Sequence, residues 1–210
     1  MTVLPGFRHL TGYFGPPEQT ALVTQLRAVI AAAPLFVPRM PRSGKPFSVR
    51  MSNCGTLGWV SDQDGGYRYQ STHPETGLAW PAMPRRLMDL WDEVADFSHH
   101  PEACLINYYA GGARMGSHRD ADEADFTAPV VSVSLGDDAV FHVGGRQRTD
   151  ARQRVVLKSG DVVVLGGGAR LAYHGIDRIL PGTSSLLAEG GRLNLTLRRV
   201  GRPQDTPPSR

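Results

Sequence analysis

The chain has 210 residues, 40% of them hydrophobic and 20% charged, enough to bury about 70% of its unfolded surface in one core without disulfide or metal staples. No apolar run approaches the roughly 18 residues that a membrane span needs, and a formal charge of +3 is too mild to name a partner by itself. Cys54 and Cys104 make no disulfide framework and stand in no CxxC spacing, so both are expected as small core residues.

Residues 1–14 are interrupted by Pro5, Gly6, Arg8 and His9, unlike the continuous apolar segment of a signal peptide, and a cytoplasmic location is the expectation. Pro16 and Pro17 open a stretch with Leu22, Leu26, Val29, Ile30 and Ala33 at helical spacing, stopped by Pro34. From Pro34 to Pro84 the chain is rich in Gly, Pro, Ser and aromatics, with strand-like pieces at 47–51 and 67–70 among loops. This segment reads as too irregular for the core. Its Trp59, Tyr67, Tyr69 and Trp80 suit stacking on a planar ligand as well as local packing. A second helix begins near Pro84, with Leu87, Trp91 and Val94 on one apolar face.

From Ala103 the rhythm changes to short strands about ten residues apart: 103–109, 130–135, 139–143, 154–157, 161–165, 171–174 and 192–199. That pattern indicates an all-β sandwich or barrel. No βαβ alternation follows and no glycine-rich loop leads from a strand into a helix, which excludes a nucleotide-cofactor fold. The polar, proline-rich end at 201–210 is expected to be disordered.

Three pieces of the β half carry chemistry. His118-Arg119-Asp120 offers two metal ligands on one side of an extended backbone, and His174 could supply a third. Two imidazoles and a carboxylate form the facial triad that holds ferrous iron and leaves positions open. With 7 histidines in the chain, one chance HxD is expected about half the time, so the motif alone proves nothing. In Arg192-Leu193-Asn194-Leu195-Thr196-Leu197-Arg198 polar and apolar residues alternate; an ordinary half-buried strand explains this, but two arginines would also fork onto a dicarboxylate. Asn107-Tyr108-Tyr109 puts an amide and a phenol on one face, where they could complete that anion's hydrogen bonds. Lys45 and Lys158 are the only lysines. The arginine bias fits a phosphate-bearing partner and genome composition equally. His9, His73, His99, His100 and His142 have no partner at ligand spacing and are given no catalytic role.

Cys104-Leu105-Ile106-Asn107-Tyr108-Tyr109, His118-x-Asp120-x-Asp122-Glu123, Ser132-Val133-Ser134-Leu135-Gly136, Gly160-Asp161-Val162-Val163-Val164, Tyr173-His174-Gly175 and Arg192-x-Asn194-Leu195-Thr196-x-Arg198 closely resemble the AlkB-type iron- and 2-oxoglutarate-dependent nucleic-acid demethylases. The likeness extends upstream through Met51-Ser52-Asn53-Cys54-Gly55-Thr56-Leu57-Gly58-Trp59, Gly66-Tyr67-Arg68-Tyr69 and Trp80-Pro81-Ala82-Met83-Pro84. The resemblance implies a mainly β fold with flanking helices (α+β), built on a double-stranded β-helix, or jelly roll. One dioxygenase domain is expected at 1–200, with a nucleotide-recognition lid at about 35–83 and a catalytic core at 103–200.

The same resemblance implies Fe(II) on His118, Asp120 and His174, 2-oxoglutarate against Asn107, Tyr109, Arg192, Asn194 and Arg198, and O2 as oxidant. It places Trp59, Tyr67, Tyr69, Asp122, Arg148 and Met51 around the substrate, with the damaged base stacked between Trp59 and His118. The implied reaction is oxidative demethylation of 1-methyladenine- and 3-methylcytosine-type bases in single-stranded DNA, with RNA and duplex DNA bearing a flipped base also open and a monomer as the default. A hydroxylase for a protein or small molecule, and a non-catalytic jelly-roll binding module, stay open as alternatives. Leu165 stands where a larger aromatic residue is expected in the best-known members, which would enlarge the pocket wall.

Overall fold

The computed structural model describes residues 4–202. The chain begins with β1 (Phe7–Leu10), α1 (Pro16–Ala32), β2 (Arg50–Gly55), β3 (Gly58–Asp62), β4 (Gly66–Gln70) and α2 (Arg85–Val94). The β half follows as β5 (Ala103–Tyr109), β6 (Met115–His118), β7 (Val130–Gly136), β8 (Asp138–Val143), β9 (Gln153–Leu157), β10 (Val162–Leu165), β11 (His174–Leu180) and β12 (Arg192–Arg198). A six-stranded sheet, β1-β10-β7-β12-β5-β2, faces a four-stranded sheet, β6-β11-β8-β9, and β3-β4 form a hairpin. Adjacent strands pair antiparallel throughout these sheets. This is the double-sheet jelly roll the resemblance implied. No helix among the described residues is long and apolar enough to cross a membrane.

Both helices form where their patterns place them. At the start of α1 the Gly15 N–H donates to Glu18 Oε2 at 2.9 Å, and Pro16 gives up no donor there. Leu22, Leu26 and Val29 of α1 and Leu87, Leu90 and Trp91 of α2 pack with Leu193, Leu195 and Leu197 of β12. The other face of β12 looks between the sheets. The expected half-buried strand is therefore buried on both faces, because helices cover the leucines while the opposite sheet covers Arg192, Asn194, Thr196 and Arg198.

Three expectations need correction. The segment from Pro34 to Pro84 is not outside the core: β2 pairs with β5 from Arg50↔Tyr108 to Gly55↔Ala103, and Phe36, Val49, Met51, Trp59, Val60 and Trp80 are buried in the main cluster. Its strand lies later than 47–51 because polar Ser52 and Asn53 find partners inside. Ser52 Oγ donates to the Ala33 carbonyl at 2.6 Å, and the Asn53 amide accepts from Trp59 N at 3.0 Å and donates to Trp59 O at 3.1 Å. The piece expected at 171–174 is a turn followed by a strand starting at His174. There a 3₁₀ turn at Gly167–Ala169 leads into Ala172, whose N–H donates to Ala169 O at 3.0 Å. Strands β1, β3 and β6, of four or five residues each, were not anticipated from the sequence.

Cys54 and Cys104 are cross-strand partners, both buried and free. Hydrogen bonding to Cys54 together with burial pushes the Cys104 thiol well above its ordinary range, consistent with packing rather than redox duty. Of the expected disordered tail at 201–210, residues 203–210 lie outside the described residues.

Candidate metal centre

The pairing of β6 with β11 makes His118 and His174 register partners, their ring centroids 4.5 Å apart. Gly175 permits this approach: a Cβ there would meet the Met115 carbonyl oxygen at 2.5 Å. Asp120 follows two residues after His118, and the ligand atoms of His118, Asp120 and His174 lie within 4.8 Å of one another. Nε2 of His118 is 3.7 Å from Asp120 Oδ1, and Nε2 of His174 is 3.7 Å from Oδ2. Each Nδ1 faces a carbonyl at 2.9 Å, of Gly116 and of Ala172. A carbonyl only accepts, so each Nδ1 carries the proton and each Nε2 presents a lone pair to the centre.

The carboxylate is prepared in the same way. Arg198 Nη2 donates to Asp120 Oδ1 at 2.7 Å, whereas Oδ2 is buried without any hydrogen-bond partner. Burial disfavours charge on Asp120, but Arg198 and the two imidazoles outweigh it and hold the carboxyl well below its ordinary range. Burial, reinforced by His118, lowers His174 to about 4. An orphaned buried carboxylate oxygen beside two imidazole lone pairs fits a divalent cation, and the N2O donor set with an open face fits ferrous iron.

This geometry sets a pH dependence for the metal-free protein. The native state resists a proton that unfolded His174 takes up near its ordinary 6.5, so stability is full above that value and falls as pH drops toward about 4. Thermal melts in chelator between these limits are expected to show a declining midpoint, and His174→Gln should flatten the decline. A wild-type midpoint constant over that window would contradict the assignment.

The triad opens into a cavity of about 250 Å³, lined on one side by Asn107, Arg192, Asn194 and Arg198 and on the other by Met51, Trp59, Tyr67 and Asp122. Arg192 is 1% exposed. Its Nη2 donates to Ser134 Oγ at 3.0 Å, its guanidinium lies 5.4 Å from the Tyr109 ring centroid, and its Nε and Nη1 have no partner. Asn107 Oδ1 and Arg198 Nε are orphaned as well. A buried guanidinium with two unused donors fits an anion, and a carboxylate matches its planar fork. Asn194 has less to offer, since Nδ2 already donates to Ser132 Oγ at 2.7 Å and Val133 O at 3.0 Å, while Oδ1 accepts from Thr196 at 3.2 Å. Leu165 lines the same cavity.

On the opposite wall Trp59 Nε1 donates to Asp122 Oδ2 at 2.8 Å. Tyr67 stacks on the indole at 5.5 Å and 21°, and Phe47 meets it edge-on at 6.2 Å. Tyr69 turns elsewhere: its hydroxyl donates to Glu123 and accepts from Arg198 Nη1 at 3.1 Å. Burial pushes its phenol well up. Arg148 stands outside the cavity, donating to the Ser117 carbonyl.

Sequence reasoning missed Glu123 and Arg170. Glu123 accepts from Arg198 Nη1 and Arg170 Nη2, both at 3.0 Å, and Arg170 also donates to the carbonyls of Asp120 and Ala128 at 2.8 Å. Glu123 fell within the motif quoted for the resemblance, but the polar run 119–125 reads as solvated until β12 is known to be buried. The five discounted histidines have structural partners: His9 on Asp161, His73 on the Pro34 carbonyl, His99 on the Ser98 hydroxyl, His100 on Asp92 and His142 on Asp177.

The family described as the 2OG-Fe(II) oxygenase superfamily matches residues 6–198. The chain is 53% identical over 200 residues to an alpha-ketoglutarate-dependent dioxygenase AlkB homolog of Caulobacter vibrioides, covering 95% of this chain and 90% of that protein. It is 42% identical over 195 residues to the alpha-ketoglutarate-dependent dioxygenase AlkB of Escherichia coli, covering 91% and 88%. The solved structure of OsALKBH1 superposes with a TM-score of 0.76 at 30% identity, covering 95% of this chain and all of that one.

Proposed function

The chain belongs to the 2OG-Fe(II) oxygenase superfamily as an AlkB-type demethylase of alkylated bases coupled to 2-oxoglutarate decarboxylation, and we propose that its substrates are 1-methyladenine- and 3-methylcytosine-type lesions in single-stranded DNA, with RNA as a second substrate. The observation that carries this reading is one cavity holding the triad, the orphaned Arg192 donors and the Trp59–Asp122 wall. A base methylated on its pairing edge is cationic and cheap to unpair. An aromatic face joined to a carboxylate favours such a ring over a neutral one.

In this reading His118, Asp120 and His174 hold Fe(II). Arg192, with Asn107 and Tyr109 beside it, would take a carboxylate of 2-oxoglutarate, while Arg198 holds Asp120. Iron and 2-oxoglutarate, when bound, would supply the activation of O2, one oxygen atom ending in succinate as carbon dioxide leaves and the other in a hydroxylated N-methyl group that falls apart to formaldehyde and the repaired base. The chain's contribution is positioning. Trp59 offers the base an aromatic wall, Asp122 fixes the indole and faces the cationic edge, and the β3-β4 hairpin, which carries Trp59 and Tyr67, serves as part of the lid. The lid, assigned to about 35–83, and the core at 103–200 act as parts of one domain.

A short single-stranded oligonucleotide carrying one 1-methyladenine, incubated aerobically with the protein, ferrous iron, 2-oxoglutarate and ascorbate, is expected to lose one methyl mass. The loss should require 2-oxoglutarate and vanish in His118→Ala. Succinate formed without loss of the methyl group would refute the substrate and leave the iron site standing.

A further inference from the structure

Trp59 and Tyr69 are register partners in the β3-β4 hairpin, so their side chains leave the same face of it. They reach two consecutive residues of the loop that follows the metal ligand Asp120. Trp59 Nε1 donates to Asp122, and the Tyr69 hydroxyl donates to Glu123. That hydroxyl also accepts from Arg198 Nη1 at 3.1 Å, while Arg198 Nη2 donates to Asp120 Oδ1 at 2.7 Å. A phenol of the hairpin is therefore two hydrogen bonds away from a metal ligand. Tyr69, expected from the resemblance at the substrate, does not line the cavity that Trp59, Tyr67 and Asp122 line.

This path is suited to transmitting position. The side chains of Asp120, Glu123 and Arg198 are 4%, 0% and 8% exposed, so solvent competes little for their bonds, and each bond is charge-assisted. A ligand that fixes Asp120 fixes the Arg198 fork, the fork fixes the phenol, and the phenol fixes the rung on which Trp59 stands. We infer that Tyr69 is a positioning residue that couples metal binding at Asp120 to the placement of Trp59, and through it to affinity for a strand bearing an extruded base. The metal meets part of the cost of ordering the hairpin before the strand arrives, so the strand binds more tightly. By reciprocity the strand tightens the metal by the same factor. The coupling rests on the nucleic-acid reading above.

The test is anaerobic binding, in which no turnover intervenes. Fluorescence polarisation of a short single-stranded oligonucleotide carrying one 1-methyladenine is followed in chelator and in ferrous iron, for wild type and Tyr69→Phe. Wild type is expected to bind about fivefold more tightly with iron, at the lower end of couplings between sites. In Tyr69→Phe the ring remains and Arg198 keeps Glu123 and Asp120, so iron affinity without the strand should be retained while the iron dependence of strand binding disappears. In turnover the variant should raise KM for the oligonucleotide and leave kcat little changed. A merely structural role would lower the melting midpoint and keep the iron dependence. Equal iron dependence in the two proteins, or a wild-type affinity that ignores iron, would overturn the coupling and leave the substrate reading intact. No measurable affinity for the oligonucleotide in either state would refute the nucleic-acid reading and the coupling together. Hydrogen exchange over 58–70 needs no variant: iron alone should slow it in wild type, and exchange that ignores iron would overturn the coupling even if Tyr69→Phe folds poorly.

Discussion

Asp120→Asn is expected to lower demethylation by more than about a thousandfold, beyond the roughly 10–100-fold that loss of a ligand's orienting partner costs. The two carboxylate oxygens have different duties. Oδ1 accepts from Arg198, and Oδ2 is left without a partner where the Nε2 of His174 points. An amide cannot serve both. If its oxygen stays on Arg198, an N–H₂ group faces the metal position; if it flips, two donors meet at Arg198. The neutral amide also removes the only negative charge among the three ligands. Stability should fall by about 1.5–3 kcal/mol, the worth of a hydrogen bond to a charged group, because Arg198 keeps Glu123 and Tyr69. His118→Ala makes the contrast: its side chain is 40% exposed, so it should lose activity as fully with little change in melting. Anaerobic titration of ferrous iron, succinate release and thermal melts measure the three quantities. Iron affinity in Asp120→Asn within tenfold of wild type would exclude Asp120 as a ligand.

The contrast between those two ligands shows what the sequence reveals and what it conceals. HxD is a local pattern, and one register pair, His118↔His174, suffices to bring the third ligand to it. The alternation of β12 was equally plain, and its polar face was correctly separated from its leucines. What the alternation could not say is that both faces are buried, since period two reports direction and not depth. The depth comes from α1 and α2 on one side and the second sheet on the other. Burial turns Arg198 from a surface cation into one that needs several acceptors, and so draws in Glu123, which looked like one more solvated acid. The same limit explains β2. Its Gly- and Ser-containing sequence lacks a hydrophobic period, and its place at the edge of the large sheet follows from pairing with β5 and from the Asn53–Trp59 exchange of hydrogen bonds, neither of which is local in sequence.

Glu123→Ala should be the most destabilising polar substitution in the protein. The carboxylate has no exposure and binds Arg170 and Arg198, themselves 2% and 8% exposed. Removing it leaves two buried guanidiniums, one with a remaining carboxylate in Asp120 and the other with carbonyls alone. Breaking a buried pair in this way costs about 3–5 kcal/mol. At about 2–4 °C per kcal/mol for a domain of this size, the melting midpoint should drop by about 10 °C. Glu123→Gln keeps an acceptor and the volume, and should lose about half as much. Burial opposes the charge on Glu123, but Arg198 outweighs it and the carboxyl lies below its ordinary 4.5. Its stabilisation is therefore complete above that value and is lost as pH falls through the lower native one, so the gap between wild type and Glu123→Gln should narrow in acid. The loss also reaches the metal, because Arg198 is the hydrogen-bond partner of Asp120 Oδ1, and iron affinity should weaken about 10–100-fold with all three ligands present. A Glu123→Ala protein melting within about 2 °C of wild type would mean that the two arginines find other partners, and that Asp120 owes its orientation to the backbone of its loop.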